Sequence, residues 1–132
     1  MSKTMYLASA IALLFVLAVS APANPGEHWD YLGSAHVDGA VDHDNIHVGR
    51  SDGQFRAIQL RVSDGDIDFL RVIAHFSNGT REELAFRDRI PSGGASPTID
   101  LPGERRIIES VELWYSKDRW ERHPRVTLYG RR

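Results

Sequence analysis

Residue types that bind ions are concentrated in one short segment near the start of the chain. Residues 36–47 include three carboxylates, one amide and three imidazoles within twelve positions. Ca²⁺ prefers six to eight oxygen ligands, and this segment offers such oxygens. The candidate oxygen ligands are those of Asp42, Asp44 and Asn45. The spacing differs from that of an EF-hand, because the glycine is misplaced and no glutamate occupies the closing position.

Two further interpretations of this segment stay open. His43 and His47 can instead bind a transition metal. The simplest alternative is an Asx-rich loop between two strands, in which Asp44 bonds to a turn or pairs with an arginine. Carboxylates two positions apart in a strand point the same way and repel each other. On this alternative, the arginines that offset the repulsion are Arg105 or Arg106.

A second segment, residues 117–124, has residue types that bind an organic ligand. It places Trp120 between Arg119 and Arg122. An indole ring flanked by guanidinium groups can stack on a sugar or a base, or insert at a membrane interface. The alternative is that Trp120 folds back over the end of the domain, as loop aromatics usually do. We take Trp120, Arg119 and Arg122 as the candidate ligand-binding residues.

The sequence offers no recognisable catalytic arrangement. It has no cysteine and no helical His-x-x-x-His pair. His75 alternates with apolar residues within a predicted strand, which favours a packed or cross-strand histidine. We therefore expect no enzymatic activity.

The elements that position these segments show an alternation of apolar and polar residues with period 2, which is typical of half-buried strands. Short strands at such regular spacing predict an all-β fold, an antiparallel sandwich of the jelly-roll type. The predicted strands are residues 29–37, 44–48, 55–62, 67–76, 80–86, 98–101, 106–115 and 125–129. The predicted core consists of Ile58, Leu60, Val62, Leu70, Val72, Phe76, Val111, Leu113, Val126 and Leu128.

Two turns are predicted between these strands. Asn78-Gly79 lies between two alternating runs and predicts a two-residue hairpin loop, with both residues at positive φ. Ser63-Asp-Gly-Asp66 predicts a second hairpin turn, in which the aspartates bond to their own backbone.

The N-terminus has the pattern of an export signal. Lys3 precedes a long uncharged run, and Ala21-Pro22-Ala23 forms a small-x-small cleavage site. We expect a signal peptide over residues 1–23 and a single domain over residues 24–132. The alternative is an uncleaved anchor over residues 4–26, which is long enough to span a bilayer.

The amino-acid composition restricts the classes of partner that the chain is expected to bind. Of the 16 Lys and Arg residues, only Lys3 precedes residue 24, so the mature chain has 15 against 18 Asp and Glu, a formal charge of −3. This mild acidity argues against a nucleic-acid ligand. Without cysteine, the mature chain has neither disulfides nor a lipid anchor on an N-terminal cysteine.

Several short motifs carry a resemblance to a known family. They are Trp29-x-x-Leu-Gly33, Asp42-x-Asp44-x-Ile46, Phe76-x-Asn78-Gly79, Ile99-Asp-Leu-Pro-Gly-x-Arg-x-Ile107 and Val126-x-Leu-Tyr-Gly130. The chain resembles a family of small exported bacterial proteins of unassigned function. The resemblance implies export and an all-β fold, and it implies no reaction or ligand. The last two strands also resemble those of discoidin or galactose-binding jelly rolls, a likeness that does not carry function.

These observations predict an exported, secreted or periplasmic, non-catalytic binding module. Its partner is expected to be a carbohydrate, a cell-envelope polymer or another protein. The alternative is a periplasmic structural or divalent-metal-binding protein that uses the loop from Asp38 to His47.

Overall fold

A computed structural model describes residues 28–37, 43–116 and 123–132 of the chain. The described part is all-β, and its helical content is a single 3-10 turn at Arg50–Asp52. The strands are β1 (Asp30–His36), β2 (His43–His47), β3 (Gln54–Phe55), β4 (Ala57–Ser63), β5 (Ile67–Phe76), β6 (Arg81–Glu83), β7 (Arg89–Ile90), β8 (Ile99–Asp100), β9 (Arg106–Tyr115) and β10 (Arg125–Arg131).

The strands form two antiparallel sheets. A four-stranded sheet has the order β1-β10-β4-β8, and a six-stranded sheet contains the path β2-β9-β5-β6. The short strands β3 and β7 extend the larger sheet by pairing with β9 and β5. The first and last strands of the described fold therefore lie side by side, as β1 pairs with β10 along its length.

One hydrophobic core lies between the sheets, as in a β-sandwich. Alternate residues of β4 and β10 face it from the smaller sheet, and alternate residues of β5 and β9 face it from the larger sheet. The alternation in the sequence predicts this arrangement well, because a strand with one covered face must place every second side chain inward. The predicted bounds of β5 and β9, residues 67–76 and 106–115, are confirmed.

Leu70 is a correction to the predicted core. It is 45% exposed, whereas Phe69 beside it is buried. A β-bulge lies between Phe69 and Arg71 in the pairing of β5 with β9. Because the bulge adds one residue, the alternation before Leu70 is shifted by one position relative to the alternation after it. Ile67 and Phe69 therefore face the core together with Val72.

The turn at Ser63–Asp66 is a second correction. β4 and β5 belong to different sheets, so this turn joins the two sheets and is not a hairpin. Asp64 and Gly65 both have positive φ there, at 62° and 141°.

The hairpin at Asn78-Gly79 is confirmed, but its loop has three residues. The amide of Gly79 donates to the Phe76 carbonyl at 3.0 Å, and the amide of Phe76 donates to the Thr80 carbonyl at 2.9 Å. Gly79 has φ 87°, and Asn78 is not among the residues with positive φ. This is a type I turn followed by a left-handed glycine, the common three-residue alternative to the two-residue loop.

Gly130, the glycine that ends one of the motifs noted above, has a packing role. A Cβ at Gly130 would lie 2.7 Å from Cδ1 of Phe55 and 2.8 Å from Cδ1 of Leu32. Because atoms cannot approach that closely, a larger residue here would displace two core side chains. Within the described ranges, no helix is long and apolar enough to cross a membrane.

Candidate ligand-binding face

The outer face of the four-stranded sheet presents three rows of side chains across three neighbouring strands. The strand registers place one residue from each of β1, β10 and β4 in every row. The rows are Tyr31, Tyr129 and Gln59, then Ser34, Thr127 and Arg61, then His36, Arg125 and Ser63. We call these nine residues the tyrosine–arginine face.

Two tyrosines give this face an aromatic surface. Tyr31 is 60% exposed, which makes it the most exposed large apolar side chain among the described residues. Its ring meets Tyr129 edge-on, with centroids 6.1 Å apart and an interplanar angle of 79°. The Tyr31 hydroxyl donates to Ser34 Oγ at 3.3 Å. An exposed ring in a defined orientation can stack on an apolar ring face at little entropic cost.

Arg61 is held in place beside this surface. Its Cζ lies 3.8 Å from the centre of the Tyr129 ring, and its Nε donates to Gln59 Oε1 at 2.9 Å. Gln59 is itself fixed, because its Nε2 donates to the Ser96 carbonyl at 3.2 Å. Among the described residues, no carboxylate forms a salt bridge with Arg61. Its terminal amino groups therefore remain available as donors.

Arg125 is the second cation of the face. Its Nη2 lies 2.8 Å from Nε2 of His36. A guanidinium group only donates hydrogen bonds, so Nε2 of His36 is the acceptor in this contact. As with Arg61, no salt bridge to Arg125 occurs in the part of the chain that the structure describes.

The tyrosine–arginine face has no acidic residue at any of its nine positions. The complete chain has a formal charge of −2, so this surface differs in sign from the molecule as a whole. Aromatic rings, fixed guanidinium groups and hydroxyls together suit a ligand that combines sugar-like rings with negative charge.

The outer face of the six-stranded sheet has a different character. The residues on it are His43, Asn45 and His47 of β2, Trp114, Glu112 and Ser110 of β9, Arg71, Ile73 and His75 of β5, and Glu83 and Arg81 of β6. We call them the histidine face.

Glu112 is the centre of the histidine face. One of its carboxylate oxygens contacts Nε2 of His43 at 2.7 Å, and the other contacts Nε2 of His75. Its side chain is only 15% exposed. The hydrogen bond from His75 is the main cause of a lowered pKa for Glu112, and the bond from His43 adds to it against the opposing effect of burial. The carboxylate thus joins β2, β9 and β5.

Trp114, Arg71 and Glu83 of the histidine face also have partners. Trp114 lies between His43 and Arg71, with the His43 ring centre at 4.4 Å and Arg71 Cζ at 5.2 Å from its own ring centre. Arg71 in turn donates through Nε to Glu83 at 2.9 Å. Both carboxylates of the face and Arg71 are therefore satisfied, whereas Arg81 is exposed and has no salt bridge within the described residues.

A comparison with known protein families identifies the family of this chain. The family model for DUF2541, a domain of unknown function, matches residues 9–130. The chain belongs to the DUF2541 family. No curated protein and no solved structure matches it. The predicted membership of a family of unassigned function is confirmed.

Most of the predicted binding residues of this DUF2541 chain lie where nothing is described. Arg119, Trp120, Arg122 and Asp42 fall outside the described residues, so their roles stay predictions. Asp44 and Asn45 lie in β2 as neighbours, which places their side chains on opposite faces of the strand. The Asn45 amide donates to Asp44 Oδ1 at 2.9 Å.

The predicted pairing of Asp44 with Arg106 is wrong. The Arg106 guanidinium donates to the Pro102 carbonyl at 2.7 Å and to Thr80 Oγ1 at 2.9 Å, and it lies over the Phe76 ring. Asp44 is opposite Leu113, near the other end of β9. In the described ranges, no group of three or more His, Asp or Glu residues is arranged to hold a metal ion.

The tyrosine–arginine face was missed because its residues come from both ends of the sequence. The alternation in β4 does place Gln59 and Arg61 outward, and that signal was present. What a single sequence does not reveal is that β10 lies between β4 and β1. That pairing brings Tyr31 and Tyr129 to the same surface as Arg61.

Proposed function

We propose that this DUF2541 protein is an exported, non-catalytic binding module that holds a carbohydrate or cell-envelope polymer on the tyrosine–arginine face. The observation that carries the proposal is the exposed ring of Tyr31 beside Arg61, a fixed cation that has no carboxylate partner among the described residues.

The shape of the face suits an extended ligand. Its three rows are two residues apart along β4 and β10, so they cover about 13 Å at roughly 3.3 Å per residue. Three neighbouring strands add about 10 Å of width at roughly 4.8 Å per strand. A flat surface of this size matches two or three units of a polymer better than it matches a small, enclosed molecule.

The proposal includes a more specific fold and location. We infer a jelly roll of the galactose-binding type, which two antiparallel sheets with adjacent first and last strands support. We also infer that residues 1–23 are a cleaved signal peptide and that residues 24–132 function outside the bacterial cytoplasm. The support for export is the uncharged run that ends in Ala21-Pro22-Ala23.

The test is a binding screen against glycans and cell-envelope polymers, with protein purified from a bacterial host that expresses the full chain. Tyr31→Ala should weaken binding by about fivefold, because a stacking ring contributes on the order of 1 kcal/mol. The matched control is Leu70→Ala, which also removes an exposed apolar side chain but lies on the other sheet. It should leave binding unchanged.

A third variant distinguishes the two candidate locations for the ligand. Trp120→Ala removes the residue that the sequence alone favours as the anchor. If Trp120→Ala abolishes binding and Tyr31→Ala leaves it unchanged, the ligand does not bind on the tyrosine–arginine face. The absence of any binding partner in the screen would contradict the proposed function.

A further inference from the structure

We propose that the ligand of the tyrosine–arginine face is an acidic polysaccharide, and that Arg61 and Arg125 bind its anionic groups. This inference rests on the proposed function and adds the chemical class of the ligand. It depends on three observations: the contacts that orient Arg61, the position of Arg125 relative to Arg61, and the lack of acidic residues at the nine positions of the face.

Arg61 is arranged as an anion-binding group and not as a structural one. Its Nε already donates to Gln59, and Tyr129 lies against one face of the guanidinium plane. These contacts fix the orientation, and neither Nη group of Arg61 donates a hydrogen bond to another described residue. A guanidinium group in this state binds a carboxylate or phosphate through two parallel hydrogen bonds, and little side-chain entropy is lost on binding.

Arg125 supplies a second cation at a useful distance. Thr127 lies directly opposite Arg61, and Arg125 is two residues away from Thr127 along β10. Residues in this diagonal relation have Cα atoms about 7–8 Å apart, within reach of long side chains. The two guanidinium groups can therefore bind one anionic group together or two neighbouring groups of one chain.

Within the described residues, Arg61 and Arg125 lack the carboxylate partners that other arginines have. Three arginines elsewhere have carboxylate partners: Arg71 pairs with Glu83, Arg89 with Asp66, and Arg132 with Asp30. Arg61 and Arg125 share a surface of nine positions that contains no acid. Like charges close together cost free energy, and a ligand anion offsets that cost.

The tyrosines restrict the expected ligand to polyanions that also contain sugar rings. Tyr31 presents an exposed ring next to the cations, and sugar rings have apolar faces that stack on such a ring. The shared chemistry is therefore an anionic oxygen pair on a sugar chain, either the carboxylate of a uronic acid or a phosphate ester. A ligand without sugar rings would use only half of the face.

The experiment compares polymers that differ only in charge. The first pair is polygalacturonate and its fully methyl-esterified form, and the second pair is phosphorylated dextran and plain dextran. The protein should bind at least one charged form about tenfold more tightly than its neutral counterpart, and raised salt should weaken that binding. Which charged form binds distinguishes a carboxylate from a phosphate.

Two variants assign the effect to the arginines. The double variant Arg61→Ala, Arg125→Ala should abolish the preference for the charged form. The single variant Arg61→Lys keeps the positive charge but loses the paired hydrogen bonds. It should therefore bind the charged polymer with intermediate affinity. The control is Arg81→Ala, which removes an exposed arginine from β6 on the other sheet and should change nothing.

The outcomes separate this inference from the proposed function. Equal binding of charged and neutral polymers, still sensitive to Tyr31→Ala, would overturn the inference and leave the proposed function intact. Binding of single-stranded DNA as tightly as the acidic polysaccharides would also overturn it, because the face would then select charge alone. Failure of all four polysaccharides to bind would overturn the inference as well.

Discussion

The two outer faces of the sandwich contain similar residue types but use them differently. On the histidine face, Glu112 contacts two histidines and Arg71 contacts Glu83, so both carboxylates of this face have partners. On the tyrosine–arginine face, two arginines share nine positions that include no acid. The pairing of charges therefore distinguishes the two faces better than residue type does. We propose that the histidine face supports the fold and that the tyrosine–arginine face binds the ligand.

The largest expected effect is on the histidine face. Glu112→Ala should lower the free energy of unfolding by about 1–3 kcal/mol, because it removes charge-assisted hydrogen bonds that link three strands. Thermal or urea unfolding measures this loss. Glu112→Gln, which keeps the shape of the side chain, should lose less. If Glu112→Ala weakens polymer binding at unchanged stability, the division of roles between the two faces is wrong.

The hairpin that carries β6 provides the next test. Gly79→Val should cost about 1 kcal/mol or more, since a β-branched residue is strongly disfavoured at φ 87°. No atom lies within 4 Å of the added Cβ, so the cost comes from the backbone alone. Gly79→Asn is the control, because asparagine tolerates the left-handed region, and it should lose less. Equal melting temperatures for Gly79→Val and the natural protein would contradict the observed turn.

The pH dependence of stability follows from the lowered pKa of Glu112. Its ordinary value is 4.5, and the folded protein holds it below that. The stabilisation from the ionised carboxylate is thus present above pH 4.5 and is lost as the pH falls through the lowered folded value. Glu112→Gln should flatten this part of an unfolding profile measured from pH 6 to pH 2.5.

Asp66 contributes in the same pH range. The amide of Ser92 and the Arg89 guanidinium lower its pKa, so Asp66→Asn is the comparison that separates the two carboxylates. A Glu112→Gln profile that overlays that of the natural protein would show that the contact with the two histidines is not formed.

The smallest expected effect on stability lies on the tyrosine–arginine face. Tyr31→Ala and Arg61→Ala should each change the free energy of unfolding by no more than about 0.5 kcal/mol, as is usual for surface positions outside the core. The same urea unfolding assay serves here. A loss of several kcal/mol in either variant would mean that the tyrosine–arginine face is structural too.

The sequence predicts the strands of this fold better than it predicts the site. Period-2 alternation locates β5 and β9 to the residue, because burial on one face imposes it. The bulge at Leu70 shifts that alternation by one position, and nothing local marks it. The connection at Ser63–Asp66 has the residues of a hairpin turn, yet the pairing of β4 with β10 and β8 is decided by distant strands.

The candidate faces depend on those distant pairings. His75 was predicted as a packed or cross-strand histidine, and its contact with Glu112 confirms the cross-strand interpretation. The partner itself is 37 residues away and was not predicted. Tyr31 and Tyr129 are further apart still, and only the β1–β10 pairing makes them neighbours.

The central claim is that the ligand occupies the tyrosine–arginine face and leaves the histidine face free. The most direct test is a titration of the ¹⁵N-labelled protein with short galacturonate oligomers, followed by amide chemical shifts. We predict shifts that concentrate on β1, β4 and β10, around Tyr31, Arg61 and Tyr129. Shifts that concentrate instead on β2, β5 and β9, around Glu112 and Trp114, would contradict it.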